Sequence, residues 1–385
     1  SVASLHRSAE VTSIVGAAAA EAIAMTSVHS RHGTAIQLAR AERLLDLAER
    51  FLMGMSEAGV ILSDRTADGC LAGAICVRLL RYGRRMALPI RPGMTVPLPG
   101  PLHTHEAKLH ELADLGYTDI WSAEADGADA FTPLAMAAAW EPRLRLGTAI
   151  VPAYTRSPAL FAQSVASLAD AAPGRFAIGV GSSSNVIVER WNGVPFEEPY
   201  KKVRDVVRFL NDALTGEKIK QTYDTFEVNG FRLGIRPETK PQILVAALRE
   251  GMLKLAGREA DGAIINWLSP DDVATVAPIV HGAGDGSDKE IVCRIFCCPS
   301  ENTEVVRAAA RFAIAAYLNV PVYAAFHEWM GRGEQLHGMW ENWKAGDRKA
   351  ALAAIPDEVV DDLIVHGSPA DCRDKIQAYF DNGVT

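Results

Sequence analysis

The stretch 144–196 constrains this chain more than any other. It reads LRLGTAIVPAYTRSPALFAQSVASLADAAPGRFAIGVGSSSNVIVERWNGVPF. An apolar run over 144–151 stops at Pro152 and a polar turn. A helical pattern covers 158–171, and a second apolar run over 176–180 stops at Gly181 and three serines. Strand, helix and strand with brief connections predict a βαβ unit whose two strands are parallel neighbours. Both strands end in residues that suit a ligand better than a core, and α/β folds carry their sites at such ends.

The same alternation extends in both directions. Strand one is expected over 86–90, followed by a Pro- and Gly-rich loop to Gly100. A helix over 105–115, strand two over 118–123 and a helix over 130–140 lead into the central unit. Beyond it, a helix is expected over 200–214, then a β-hairpin insertion over 222–236 turning at Asn229-Gly230. Strand five (242–247), a helix (251–259), strand six (262–267), a helix (270–280) and strand seven (290–298) follow. The remainder, 302–383, reads as mostly helical; Ser368 caps the last helix with Pro369 at its first position. Seven strands, each with a helical follower, fit a TIM (β/α)8 barrel one strand short. An open doubly wound sheet is disfavoured, because no G-x-G-x-x-G opens the first βα turn.

The runs LGTAIVPAYTRSPALFAQ, PGRFAIGVGSSS and WNGVPFEEP resemble the bacterial luciferase-like monooxygenase superfamily. Within it, the chain is most similar to oxidoreductases that use the deazaflavin coenzyme F420 in place of FMN. The resemblance covers about residues 86–385 and implies a luciferase-like TIM barrel with insertions at 222–236 and 301–355. It implies hydride transfer between a small organic substrate and the deazaflavin, with an FMN-dependent, O2-using monooxygenase as the alternative. In the family, the Gly-Val-Thr at 383–385 leads into strand eight. Strand eight and the last helix are therefore expected to be missing, leaving strands one and seven with unpaired edges. The N-terminal segment or another chain, as in a homodimer, could cover them. An inactive fragment or a non-catalytic flavin-binding protein is the rival of another class.

Residues 1–85 carry no part of this resemblance. Thr34 with Gln37 makes a capping box, and Leu44, Leu47, Ala48, Phe51, Leu52 and Met55 form one apolar stripe. A helical extension without a catalytic role is the expectation. The net charge of −8 argues against nucleic acid or acidic membrane surfaces as partners. No stretch reaches the ~20 apolar residues of a membrane span. Six cysteines form no Cys-x-x-Cys pair. Cys293, Cys297 and Cys298 read as small buried hydrophobes, and a reducing cytosol is the default compartment.

The strand ends select the candidate site. Gly181, Ser182, Ser183 and Ser184 offer hydroxyls and backbone N–H groups to a phosphate or polar tail, although a Ser-rich turn is commonly only a turn. Ala247, Leu248 and Arg249 end strand five where a helix begins, so first-turn amides and a guanidinium can meet an anion; Glu250 works against this. Glu124 ends strand two as a candidate general acid or base, or as a solvated loop residue. Asn266 can hold a ring carbonyl or nitrogen, and Trp267 can wall a pocket or fill a core. Arg294, inside strand seven, needs a partner and either faces the cofactor side or snorkels outward. Arg156 reads as a structural tie from loop three to a helix end, and His103 and His105 as surface residues at a helix start. Trp329, Trp340 and Trp343 are read as a cover for the site or as a subunit contact. Ala149 and Ile150 read as plain strand; only the family resemblance implies a cis peptide between them, backing a flat ring. No metal constellation and no Ser-His-Asp arrangement is present.

Overall fold

A computed structural model describes residues 90–385. The helices expected in the first eighty-five residues, and nearly all of the expected strand one, lie outside the described residues.

The sheet contains β1 (Gly93–Val96), β2 (Asp119–Ser122), β3 (Arg145–Thr148), β4 (Val151–Pro152), β5 (Phe176–Gly181), β8 (Gln242–Ala246), β9 (Gly262–Asn266) and β10 (Glu290–Arg294). Its order is β1-β2-β3-β5-β8-β9-β10, with β4 beside β5, and every pairing is parallel. Between successive strands run α1 (Glu106–Asp114), α2 (Phe131–Trp140), α3 (Pro158–Ala171), α4 (Pro199–Ala213), α5 (Glu250–Glu259) and α6 (Pro270–Ala283).

The sheet curls. Arg145, at the start of β3, bonds both oxygens of Glu290, at the start of β10, at 2.6 and 2.8 Å. The two strands are four places apart in the sheet, a separation of ~19 Å were it flat. Arg145 also bonds Asp119 at 2.9 Å and Gln242 at 2.6 Å. Four strands thus meet through their first residues in a buried polar plug. The curl stays open: β1 and β10 are the edges, and among the described residues no eighth strand closes the ring. The backbone N–H of Thr385 donates to the Ile291 carbonyl on the β10 edge at 3.1 Å.

Three expectations need correction. Strand one lies at Gly93–Val96, within the expected loop. Pro89 and Pro92 lack the N–H a ladder needs, and Gly93 is required because a Cβ there would sit 2.9 Å from the Trp121 ring. The insertion is a hairpin of β6 (Ile219–Thr222) and β7 (Glu227–Phe231), but it turns at Tyr223–Phe226. Asn229 and Gly230 lie inside β7, opposite a bulge at Ile219/Lys220, where Gly230 takes φ +86°. Tyr223 and Phe226 both pack edge-on against Phe209 of α4, which fixes that register. Strand seven is two strands: β10 ends at Arg294, and β11 (Phe296–Cys298) pairs with β12 (Ile364–His366) instead.

That second pair belongs to a helical unit with its own core. It comprises α7 (Thr303–Leu318), α8 (Pro321–Trp329), α9 (Gly333–Lys344), α10 (Arg348–Ala353) and α11 (Asp357–Leu363), ahead of the closing α12 (Pro369–Asp381). Ser368 and Asp371 cap α12 reciprocally, with Pro369 in its first turn. Trp340 and Trp343 pack against this core, Trp340 donating to the Leu318 carbonyl at 2.8 Å, so they support the unit; Trp329 stays exposed.

Candidate active site at the open end of the sheet

Period-two alternation sorts the inward-facing side chains into layers. The lowest is the Arg145 plug. Above it lies an apolar layer of Trp121, Ala177, Leu244 and Ile264, with Val292, Ala149 and Ile150 packed against it. Continuing β8, β9 and β10 by two residues, and β5 from Ala177 by four, brings Gly181 of β5, Ala246 of β8, Asn266 of β9 and Arg294 of β10 to the top layer. Asn266 and Arg294 are register partners. Arg294, whose direction the sequence left open, therefore points to the strand C-termini, because Glu290 and Val292 already face inward.

The floor of this open end is the segment between β3 and β4. The Ala149–Ile150 peptide is cis, as the family resemblance implied. Pairing of β3 with β5 stops at Gly147↔Ala177 and resumes as β4 at Val151↔Val180. Across the gap the Thr148 hydroxyl substitutes for the ladder: it accepts from Gly179 N at 2.8 Å and donates to Gly179 O at 3.0 Å. The Ile150 carbonyl accepts from Glu124 N at 3.0 Å, tying the floor to the loop after β2. Gly181 lies directly against it, since a Cβ there would stand 3.0 Å from both the Ile150 Cδ1 and the Ala246 Cβ. Ala149, Ile150, Gly181 and Ala246 thus form a closely packed apolar shelf in which a side chain at position 181 would crowd Ile150 and Ala246.

Glu124 is at this end, and its carboxylate is held by several donors. Arg156 donates to its carboxylate at 2.5–2.6 Å, Ala130 N reaches Oε1 at 3.3 Å and the Thr155 hydroxyl reaches Oε2 at 3.5 Å. Both oxygens are committed to the protein, so Glu124 joins the loops after β2 and β4 to the start of α2. These contacts give Glu124 a positioning role. Arg156 makes the structural tie expected of it, with its guanidinium also over the Phe131 ring.

The phosphate candidates sit on the rim. Ser182, Ser183 and Ser184 are half-buried, and Ser183 takes φ +60°. The Ser184 hydroxyl accepts from Ile187 N, starting the π-helix Val186–Trp191. Ala247 is buried and its N–H donates to Ile264 O, while Leu248 packs on the main core, so these two contribute backbone only. Arg249 is the exposed N-cap of α5, no side chain caps that helix, and its first backbone bond is Leu253 N to Arg249 O. The preceding amides keep their donors for an anion. Glu250, the unfavourable neighbour, is drawn to Lys254 at 2.5 Å.

Trp267 does not wall the open end. It follows Asn266 with φ +59°, is wholly buried, and stacks on Phe296 at 3.9 Å and against Tyr317 at 5.2 Å inside the helical unit. Alternation turns it away from the layer that Asn266 faces. Ser183 and Trp267 are two of only three described non-glycine residues with positive φ, and both lie just past a strand end, where such strained backbone collects in functional sites. His105 is buried rather than surface, bonded to Gly100 O at 3.0 Å.

Tyr323 of α8 was missed by the sequence reading, because it comes from an inserted helix and not from a strand end. Its phenol oxygen accepts from Asn266 Nδ2 at 3.1 Å. Burial raises its pKa, with Asn266 and the Arg294 charge opposing only in part, so the phenol keeps its proton. Asn266 Oδ1 is buried and has no partner.

The pattern of the luciferase-like monooxygenase family matches residues 84–385. A 5,10-methylenetetrahydromethanopterin reductase from Methanolobus tindarius is 28% identical over 294 residues, 73% of this chain and 87% of that protein. The coenzyme F420-dependent tetrahydromethanopterin reductase of Methanopyrus kandleri has a similar fold, with TM-score 0.66 and 21% identity over 77% of this chain and 92% of that one. The oxygenating component of the 3,6-diketocamphane monooxygenase of Pseudomonas putida, solved with FMN, gives TM-score 0.54 and 14% identity over 77% and 89%. A parallel sheet curled around an apolar shelf, matched over more than three-quarters of its length, means that this chain belongs to the luciferase-like monooxygenase family.

Proposed function

We propose that this oxidoreductase moves a hydride between a small organic substrate and the deazaflavin coenzyme F420. The observation that carries the reading is the apolar shelf of Ala149, Ile150, Gly181 and Ala246, built from small side chains beside the unpartnered Asn266 Oδ1, a combination suited to a planar ring with polar edge groups. The surrounding residues fit such a group. Asn266 Oδ1 is an unpartnered acceptor for a ring N–H, and Ser182 to Ser184, the α5 amides and Arg249 fit an anionic tail. F420-dependence of the Methanopyrus kandleri reductase supports the same choice.

The bound deazaflavin would supply the hydride acceptor or donor carbon. The chain's own residues do the rest. Ile150 and Ala149 would hold the ring through apolar contact at the floor of the open end. Asn266 orients Tyr323 through its amide N–H, so the protonated Tyr323 Oη can donate a hydrogen bond to a substrate oxygen. Glu124 and Arg156 hold the shelf in register. The four described cysteines are free thiols, in keeping with a reducing cytosol.

FMN is the second reading, favoured by the FMN held on the same fold in the Pseudomonas putida enzyme. Titrating purified protein with each cofactor and following fluorescence tests the choice. F420 binding tighter than FMN supports the proposal; the reverse order overturns it.

A further inference from the structure

We propose that Arg294, with Tyr323 beside it, binds a carboxylate on the substrate, so that the substrates are organic acids. This rests on the reading of the open end as a redox site and names its substrate class.

Arg294 is a half-buried cation in the top inward layer. No carboxylate pairs with it among the described residues; its guanidinium carbon lies over the Phe296 ring, 4.9 Å from the centroid, and its charge acts on Tyr323. The contrast with Arg145, 149 positions earlier on the same inward face, is direct. That guanidinium meets the carboxylates of Asp119 and Glu290 and the side-chain oxygen of Gln242. A guanidinium removed partly from water without a counter-charge is costly, so the missing anion is one that arrives with a ligand. Its planar fork suits a carboxylate.

The neighbours refine the choice. Asn266, the register partner of Arg294, donates to the Tyr323 oxygen, which leaves the Tyr323 O–H free to donate to the same anion. Phe296 under the guanidinium, itself stacked on Trp267, fixes the fork from behind. The cofactor tail has its own cation in Arg249 at the α5 N-terminus, so Arg294 is left for the substrate.

The test is calorimetric titration with benzoate and its neutral counterpart benzamide, on wild type, Arg294→Gln, Arg294→Lys and Arg249→Ala, with coenzyme F420 titrated separately. Benzoate should bind wild type about tenfold tighter than benzamide. Arg294→Gln should lose that preference, Arg294→Lys should retain part of it, and Arg249→Ala should leave it intact. F420 affinity of Arg294→Gln should stay near that of wild type. Equal binding of benzoate and benzamide by wild type, or undiminished benzoate binding by Arg294→Gln, overturns the proposal. So does a loss of F420 affinity without loss of benzoate in Arg294→Gln, which would give the cation to the cofactor. The benzoate arm reads without cofactor, so failure of F420 to bind wild type would sink the cofactor reading alone.

Discussion

His327 gives the chain a pH dependence whose size follows from its surroundings. It lies on α8, fully buried, with neither ring nitrogen hydrogen-bonded. Burial, with the nearby Arg332 charge adding to it, holds the imidazole down at about 3, from an ordinary 6.5. The unfolded chain takes up a proton as pH falls through the ordinary value, while the folded chain resists until about pH 3. The unfolded state then binds more protons, so this stability is complete above pH 6.5 and is lost progressively as pH falls to about 3. At pH 5 the loss is RT ln(1 + 10^1.5), about 2 kcal/mol, and it depends on the ordinary value far more than on the depressed one. His327→Leu removes the titration and leaves no unpartnered nitrogen. Urea unfolding of both proteins at about pH 7.5 and about pH 5 should show wild type losing about 2 kcal/mol more than the variant. Equal losses would mean that His327 is protonated or solvated in the folded protein, and the reasoning would fail.

Two further outcomes are expected. Glu290→Gln replaces the bidentate carboxylate on Arg145 with a neutral acceptor while Asp119 still offsets the guanidinium, and should cost ~1.5–3 kcal/mol of stability by denaturant unfolding, the worth of a buried charge-assisted hydrogen bond. Gly181→Val puts side-chain atoms on the shelf beside Ile150 and Ala246; F420 affinity should fall by about tenfold or more in a fluorescence titration, and unchanged affinity would remove the shelf from the ring's path.

The βαβ logic of residues 144–196 was legible because hydrophobic periodicity is a local property. So were the helix ends marked by Ser269, Ser368 and the prolines that follow them. Gly181, Asn266 and Glu124 were found by the general rule that parallel strands present chemistry at their C-terminal ends. The Ala149–Ile150 cis peptide came from family resemblance alone, since Thr-Ala-Ile is an ordinary strand sequence.

What escaped the sequence depends on partners distant along the chain. Gly93 fell within an expected Pro- and Gly-rich loop, and only the Trp121 ring of the neighbouring strand, which fills the space of its side chain, explains a glycine in a strand there. Glu124 carried no sign of the partner that holds its carboxylate, Arg156, 32 residues on. Trp267 looked like a pocket wall until a helical unit folded over it. Arg294 carried no direction of its own, because the parity of a strand residue is set by which face the curl encloses. The sequence by itself determined the elements and the end of the sheet where chemistry belongs, since both follow from short-range pattern. The tertiary structure alone decided which charges are matched and which wait for a ligand, because charge pairing is a property of space and not of the order of residues.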